Sequence, residues 1–283
     1  MPSPWRLGGL PLRELAAHVR REIVADAAMD RAAAFSYYVL FALFPTLLFL
    51  TTLLGIVAMP SLMDALLVYS AGVLPGDVAS LVRRTLAEVV SGAHGSLLSV
   101  GAFVALWAAS SGMMAIMTSL NVTYDVVDAR PWWRRRLTAL GLTFAFGIFT
   151  LAGLLLLVLG PRMGEAVAGF FGLGRAFAIV WHIAHWPAVI VLLLTGITLV
   201  YYLAPAIDGR WRWATPGSVF ALVAWLGMSF GLRLYVTHGG DYNAAYGSIG
   251  GVILLMLWLY LSGLTLLVGA EIDAEIARAG RGP

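Results

Sequence analysis

Charged side chains vanish from this sequence in six long intervals. No Asp, Glu, Lys or Arg occurs within about Ala32–Met59, Leu97–Leu120, Leu137–Leu159, Phe177–Ala204, Ala214–Leu232 or Gly247–Ala270. A helix needs about 20 consecutive apolar residues to cross the hydrocarbon core of a bilayer, and each run has that length or more. The runs have no polar side, as expected of helices surrounded by lipid and by one another. The pattern predicts an all-α, polytopic membrane helical bundle. Six transmembrane helices would fill residues 32–270, after a cytoplasmic amphipathic segment at 1–31 and before a short cytoplasmic tail at 271–283.

Two polar stretches carry a helical period. Leu12, Leu15, Val19 and Ile23 share one face, with Arg13, Arg20, Arg21 and Glu22 away from it, and Pro11 is placed to begin the helix. This reads as an interfacial helix lying on the membrane before the first span. Val78, Leu81, Val82, Val89 and Val90 oppose Arg83, Arg84 and Glu88, with Asp77 as a candidate N-cap. That second amphipathic helix belongs to the long connection at about Pro60–Gly95.

Composition agrees with the pattern: 60% of residues are hydrophobic and 12% charged, against about 25% charged in soluble domains. With no cysteine, disulfides and thiolate metal sites are excluded. No cleavable signal peptide is expected, because residues 1–31 are studded with charge. A net charge of +3 reflects arginines kept on one side of a membrane rather than nucleic-acid binding. Every one of the 18 basic residues is arginine. Sorted by alternate connections, 13 of them fall in the N-terminus, the second-to-third connection, the fourth-to-fifth connection and the C-terminus. The positive-inside bias then puts both termini in the cytoplasm. Arg130-Pro-Trp-Trp-Arg-Arg-Arg136 is the strongest anchor. Its tryptophans suit the headgroup level, and Arg134, Arg135 and Arg136 suit anionic lipid headgroups.

The candidate chemistry is sparse. Ionisable residues are nearly absent at mid-depth, where they would mark an ion-coupling site. The acids gather at the expected cytoplasmic ends instead: Asp26, Asp30, Asp125, Asp128, Glu271 and Asp273. Pairing with Arg31 and Arg134–Arg136 would tie helix ends together; a cytoplasmic gate or headgroup site is the sharper reading. Pro45 should kink or break the first span. Arg233 either snorkels to the outer interface or grips an anionic group there, with Asp241 as a partner. Ala108–Gly112 and Gly247–Gly251 are small-residue faces that permit close helix approach. His182 and His185 share a helix face, but no third ligand stands nearby, so neither a metal site nor a cofactor is expected. The candidate substrate path comprises Tyr37, Pro45, Ser110, Ser111, Asn121, Arg233, Tyr246 and Glu271.

These residues carry a family likeness. Asp30-Arg-Ala-Ala-Ala-Phe-Ser-Tyr-Tyr38 with Phe41-Ala-Leu-Phe-Pro45 resembles the first span of the YihY/BrkB family of bacterial inner-membrane proteins. So do Leu106-Trp-Ala-Ala-Ser-Ser-Gly112, Leu120-Asn121, Tyr124, Arg130, Trp211-Arg-Trp213, Pro216-Gly217, Tyr246-Gly-Ser-Ile-Gly250, Leu257-Trp-Leu-Tyr260 and Gly269-Ala-Glu271. The resemblance implies a six-span protein of the bacterial inner membrane, linked with virulence, serum resistance and envelope lipid export. It also carries an old transfer-RNA-processing ribonuclease label. Five scattered histidines do not make the His and carboxylate cluster that a zinc nuclease needs.

Two functions follow. One is a transporter or exporter of an amphipathic, lipid-like envelope substrate, with tails left in the hydrocarbon and the headgroup on a shallow polar track. The alternative is a non-transporting scaffold for envelope assembly. An intramembrane serine enzyme at Ser110-Ser-Gly112 lacks a general base at matching depth. Self-association into a homo-oligomer stays open.

Overall fold

A computed structural model describes residues 4–57, 95–171, 174–207, 211–238 and 242–280; in some helical stretches, among them 44–57, 95–102 and 242–249, the backbone alone is described. These residues are all helix and connection. A short 3₁₀ segment, Pro4–Gly9, leads into α1, Leu12–Ala25. The long helices follow: α2 Ala28–Val57, α3 Gly95–Thr123, α4 Trp132–Phe171, α5 Gly174–Leu203, α6 Pro216–His238 and α7 Tyr242–Ala279.

Five helices among the described residues are long and apolar enough to cross a membrane: Phe103–Thr123, Trp132–Gly153, Ile183–Leu203, Pro216–Thr237 and Gly250–Ala279. The count there is five, not six. The remaining expected span coincides with α2, whose side chains are described only as far as Leu43. α2 runs through Pro45 as unbroken helix, so the expected break does not occur; a helix keeps going where neighbouring groups take up the freed carbonyl. Pro187 is likewise carried inside α5. The second amphipathic helix expected at Val78–Val90 lies outside the described residues.

The ends of α4 and α7 depart from expectation. α7 has 38 residues, ~57 Å at 1.5 Å per residue, and continues through Ala279. Most of the expected tail is therefore its final turns. α4 has 40 residues, or ~60 Å, and overruns the expected span at both ends.

The chain divides into two compact units. One holds residues 1–28, 117–225 and 265–283; the other holds 29–116 and 226–264. In the first, α4 and α5 pack along each other, with Gly153 admitting Leu192 and Gly196 admitting Phe149. α6 meets α7 backbone to backbone: a Cβ at Gly217 would stand 2.0 Å from the Gly269 carbonyl oxygen, and one at Gly269 would stand 2.5 Å from that of Gly217. The Thr215 N–H donates to Ser218 Oγ (2.9 Å) and the Ser218 N–H to Thr215 Oγ1 (3.1 Å), a reciprocal cap that starts α6 beside α7.

α1 packs its apolar face on α7. Leu15 and Val19 are buried with Ile276 of α7, and Leu7, Leu10, Ile23, Val268 and Ile272 pack around them. The apolar face is spent on protein, at about 1.5–3 kcal/mol per buried aliphatic side chain. Leu12, counted in that face, is 70% exposed. In the second unit, Gly112 of α3 faces Val39, and a Cβ at Gly263 of α7 would stand 2.6 Å from the Phe35 ring.

Candidate functional site

The polar side chains of the first unit form a layer at the ends of α3, α5 and α7 and the starts of α4 and α6. Asp125, at φ 53, turns the chain out of α3; aspartate tolerates this left-handed conformation better than most residues. The short link to α4 then carries Asp128 and Arg130.

Asp128 is the centre of a hydrogen-bonded knot. Its side chain is 7% exposed. Arg130 donates to it from Nε (2.8 Å), Nη2 (2.9 Å) and its backbone N–H (3.1 Å). Arg135 Nε lies 3.3 Å from Asp128 Oδ2, the oxygen that Arg130 Nη2 also reaches. Asn121, buried at the end of α3, donates from Nδ2 to Asp128 (3.1 Å), and its Oδ1 accepts the Ala206 N–H (2.7 Å). Arg130 Nη2 also donates to the Ala204 carbonyl (3.1 Å). The α3–α4 link is thereby tied to the segment after α5. The hydrogen bonds from Arg130 hold the Asp128 carboxyl below the usual aspartate range.

A second network serves α7. Arg278 donates to the Thr123 carbonyl (2.8 Å) and to Asp125 (2.5 Å), and it pairs with Glu275. His18 Nδ1 of α1 stands 3.3 Å from the other Glu275 oxygen. Asp273 accepts from the Thr215 hydroxyl (2.5 Å) and the Gly217 N–H (2.8 Å), and the Tyr201 hydroxyl donates to the Leu266 carbonyl. Glu271 differs. It is 0% exposed; Asp26 and Thr123 stand nearest its carboxyl, yet neither oxygen reaches a hydrogen-bond partner of normal geometry.

Beside the Asp128 knot lies an open groove of about 540 Å³. Val127, Leu203, Pro205 and Ile207 give it apolar walls, while Arg130, Arg134 and Tyr202 give it polar ones. The Arg134 guanidinium lies 5.1 Å over the Trp133 ring, and Trp132 and Trp133 are both exposed.

The candidate residues fall into two groups. Asn121 and Glu271 belong to this polar layer, as do Arg134, Arg135 and Arg136 to its rim. Tyr37, Ser110, Ser111 and Arg233 belong to the other unit. Tyr37 is 50% exposed, in ring contact with Tyr38 and Phe41. The Ser110 and Ser111 hydroxyls both donate to the Trp107 carbonyl, the usual back-bond of helical serines. Arg233 is exposed on α6; its suggested partner Asp241 lies outside the described residues. The side chains of Pro45 and Tyr246, both on helices of that unit, also lie outside them. Sequence reasoning read Arg130 as part of the membrane anchor rather than as the partner of Asp128, and placed Arg278, Thr215 and Tyr201 in no site. The signal for Arg130 was present: it sits two residues from Asp128, close enough for a local fork.

A family model for virulence factor BrkB matches residues 19–282. The chain belongs to the virulence factor BrkB family. Every element of the polar layer, from His18 and Asp26 to Arg278, lies within or next to that match. A BrkB-family chain of this kind is an integral, multi-pass membrane protein. It is 37% identical over 254 residues to YfkH of Bacillus subtilis, a protein with a ribonuclease-like name, covering 90% of this chain and 92% of that one. It is 38% identical over 86 residues to a UPF0761 membrane protein of Tolumonas auensis, covering 30% of this chain and 28% of the relative. A UPF0761 membrane protein of Paraburkholderia xenovorans is 28% identical over 207 residues, covering 72% and 45% respectively. The chain thus spans most of the Bacillus relative and less than half of the two UPF0761 proteins. No solved structure matches it.

Proposed function

We propose that this protein sits in the bacterial inner membrane with both termini in the cytoplasm and exports an amphipathic, lipid-like envelope substrate. One observation carries the reading: a groove of about 540 Å³ lined by Arg130 and Arg134 together with Leu203, Pro205 and Ile207. Such a lining suits a molecule with an anionic head and an apolar body. Arginine is the side chain best matched to phosphate and carboxylate oxygens, and the exposed Trp132 and Trp133 suit the headgroup level beside it. Asp128 fixes Arg130 in place, leaving Arg134 as the cation for the incoming head.

Purified protein in proteoliposomes should move labelled anionic lipid between leaflets faster than empty vesicles do. Replacing Arg134 by Ala should slow that movement while leaving the protein folded. No movement above empty vesicles across a broad lipid panel, or equal rates in wild type and R134A, would overturn the proposal.

A further inference from the structure

Four carboxyls of the polar layer are sheltered from solvent, and three are bonded, among them Glu275, which pairs with Arg278 and stands beside His18. Asp128 is held by Arg130 and Asn121, and Asp273 by Thr215 and Gly217. Glu271, 0% exposed, has no hydrogen bond of normal geometry at either oxygen and faces the carboxyl of Asp26 and the hydroxyl side chain of Thr123. A buried carboxylate without donors is costly, and two facing each other are costlier still. The cation acting on Glu271, Arg278, is already engaged with Glu275, Asp125 and the Thr123 carbonyl. The Tyr124 phenol lies within electrostatic reach of Glu271 and Asp273. Magnesium or calcium would require six or more oxygens, more than two carboxyls and one hydroxyl side chain supply. A proton requires two.

We propose that Glu271 is a proton-binding site, its carboxyl holding a proton beside the carboxyl of Asp26. The site sits at a joint. Asp26 caps α1, its N–H donating to the Glu22 carbonyl at 2.8 Å, and Ala27 next to it has φ 50, a conformation alanine adopts at a cost. Loss of the proton leaves a buried charge on α7 beside the Asp26 carboxyl of the α1–α2 joint. Proton uptake therefore holds the joint on α7, and release loosens it. The site makes no use of the exported substrate, so its test is independent of the export reading.

The test uses the protein in detergent and dicyclohexylcarbodiimide, an apolar reagent to which a sheltered carboxyl adds when protonated, its proton passing to the carbodiimide nitrogen and its oxygen to the central carbon. Labelling is followed by peptide mass spectrometry between about pH 6 and about pH 9, where an ordinary carboxyl with a pKa near 4.3 is already ionised. Glu271 should be labelled at the acid end and lose about tenfold or more of that labelling by the alkaline end. Replacing choline by Na⁺ should change nothing. Over the same range the melting temperature of wild type should fall relative to that of Glu271→Gln, because the folded state alone holds the proton and stability is lost as pH rises. Should Glu271→Gln fail to fold, Asp26→Asn offers an amide donor to the carboxylate and should move the loss of labelling to lower pH. Absent labelling with parallel melting profiles overturns the site. So does an unchanged labelling profile in Asp26→Asn. Protection by Na⁺ at fixed pH overturns the proton in favour of a metal ion.

Discussion

Asp128 and Glu271 are two sheltered carboxyls in one unit of the molecule with opposite surroundings. Asp128 receives hydrogen bonds from a guanidinium, a backbone N–H and an amide, with a second arginine alongside. Glu271 receives none of normal geometry. A carboxylate so enclosed by donors is a fastener: it stays ionised and fixes the chain around it. One enclosed without donors is not a fastener, because burial alone works against its charge. The difference teaches where rigidity ends and titration begins in the polar layer.

The comparison breaks most visibly if Asp128 is removed. Asp128→Ala leaves Arg130 partly buried without its counter-charge, and loss of one member of such a pair costs several kcal/mol. The expected loss is about 3 kcal/mol, toward the low end because Arg130 keeps some solvent, and thermal unfolding in detergent measures it. A variant as stable as wild type would mean that the knot fastens nothing.

A smaller effect is expected at Asn121, which joins the knot to the segment after α5. Asn121→Ala strands the Ala206 N–H and one bond to Asp128, at about 2 kcal/mol. Paired with Asp128→Ala in a double-mutant cycle, the two losses should be clearly less than additive, since both act through one network.

The smallest effect is in pH. Arg130 lowers the Asp128 carboxyl from its ordinary value of 3.8. Its contribution to stability is therefore present above that value and lost as pH falls through the depressed one. The melting difference between wild type and Asp128→Asn should shrink in acid. The Glu271 effect runs the other way, being lost as pH rises, so the two variants should have pH profiles of opposite slope.

Much of the fold was legible because lipid-facing helices announce themselves by what they lack. The bounds of α3 and α5 follow from the absence of charge in Leu97–Leu120 and Phe177–Ala204. The overrun of α7 was not legible: Glu271 and Asp273 end the apolar run, yet they continue the helix because Thr215, Gly217 and Thr123 stand around them. The face of α1 was legible and its partner was not, since an apolar stripe looks the same against lipid as against Ile276. Glu271 stood out in sequence as an acid at a helix end. Its neighbour Asp26 is 245 positions away along the chain, and only folding brings the two together. The candidates Tyr37, Ser110 and Arg233 were drawn from local character alone. None of them gathers into the layer that holds Asn121 and Glu271.

The seating of α1 by Leu15, Val19 and Ile276 makes the front of the chain a strap over its last helix. A polypeptide shortened to start at the first apolar run would bare Ile276 and its neighbours to water, and such molecules would stick to one another. Trimming the front end is therefore a change to the back end, and a fusion partner placed there inherits a seat rather than a free thread.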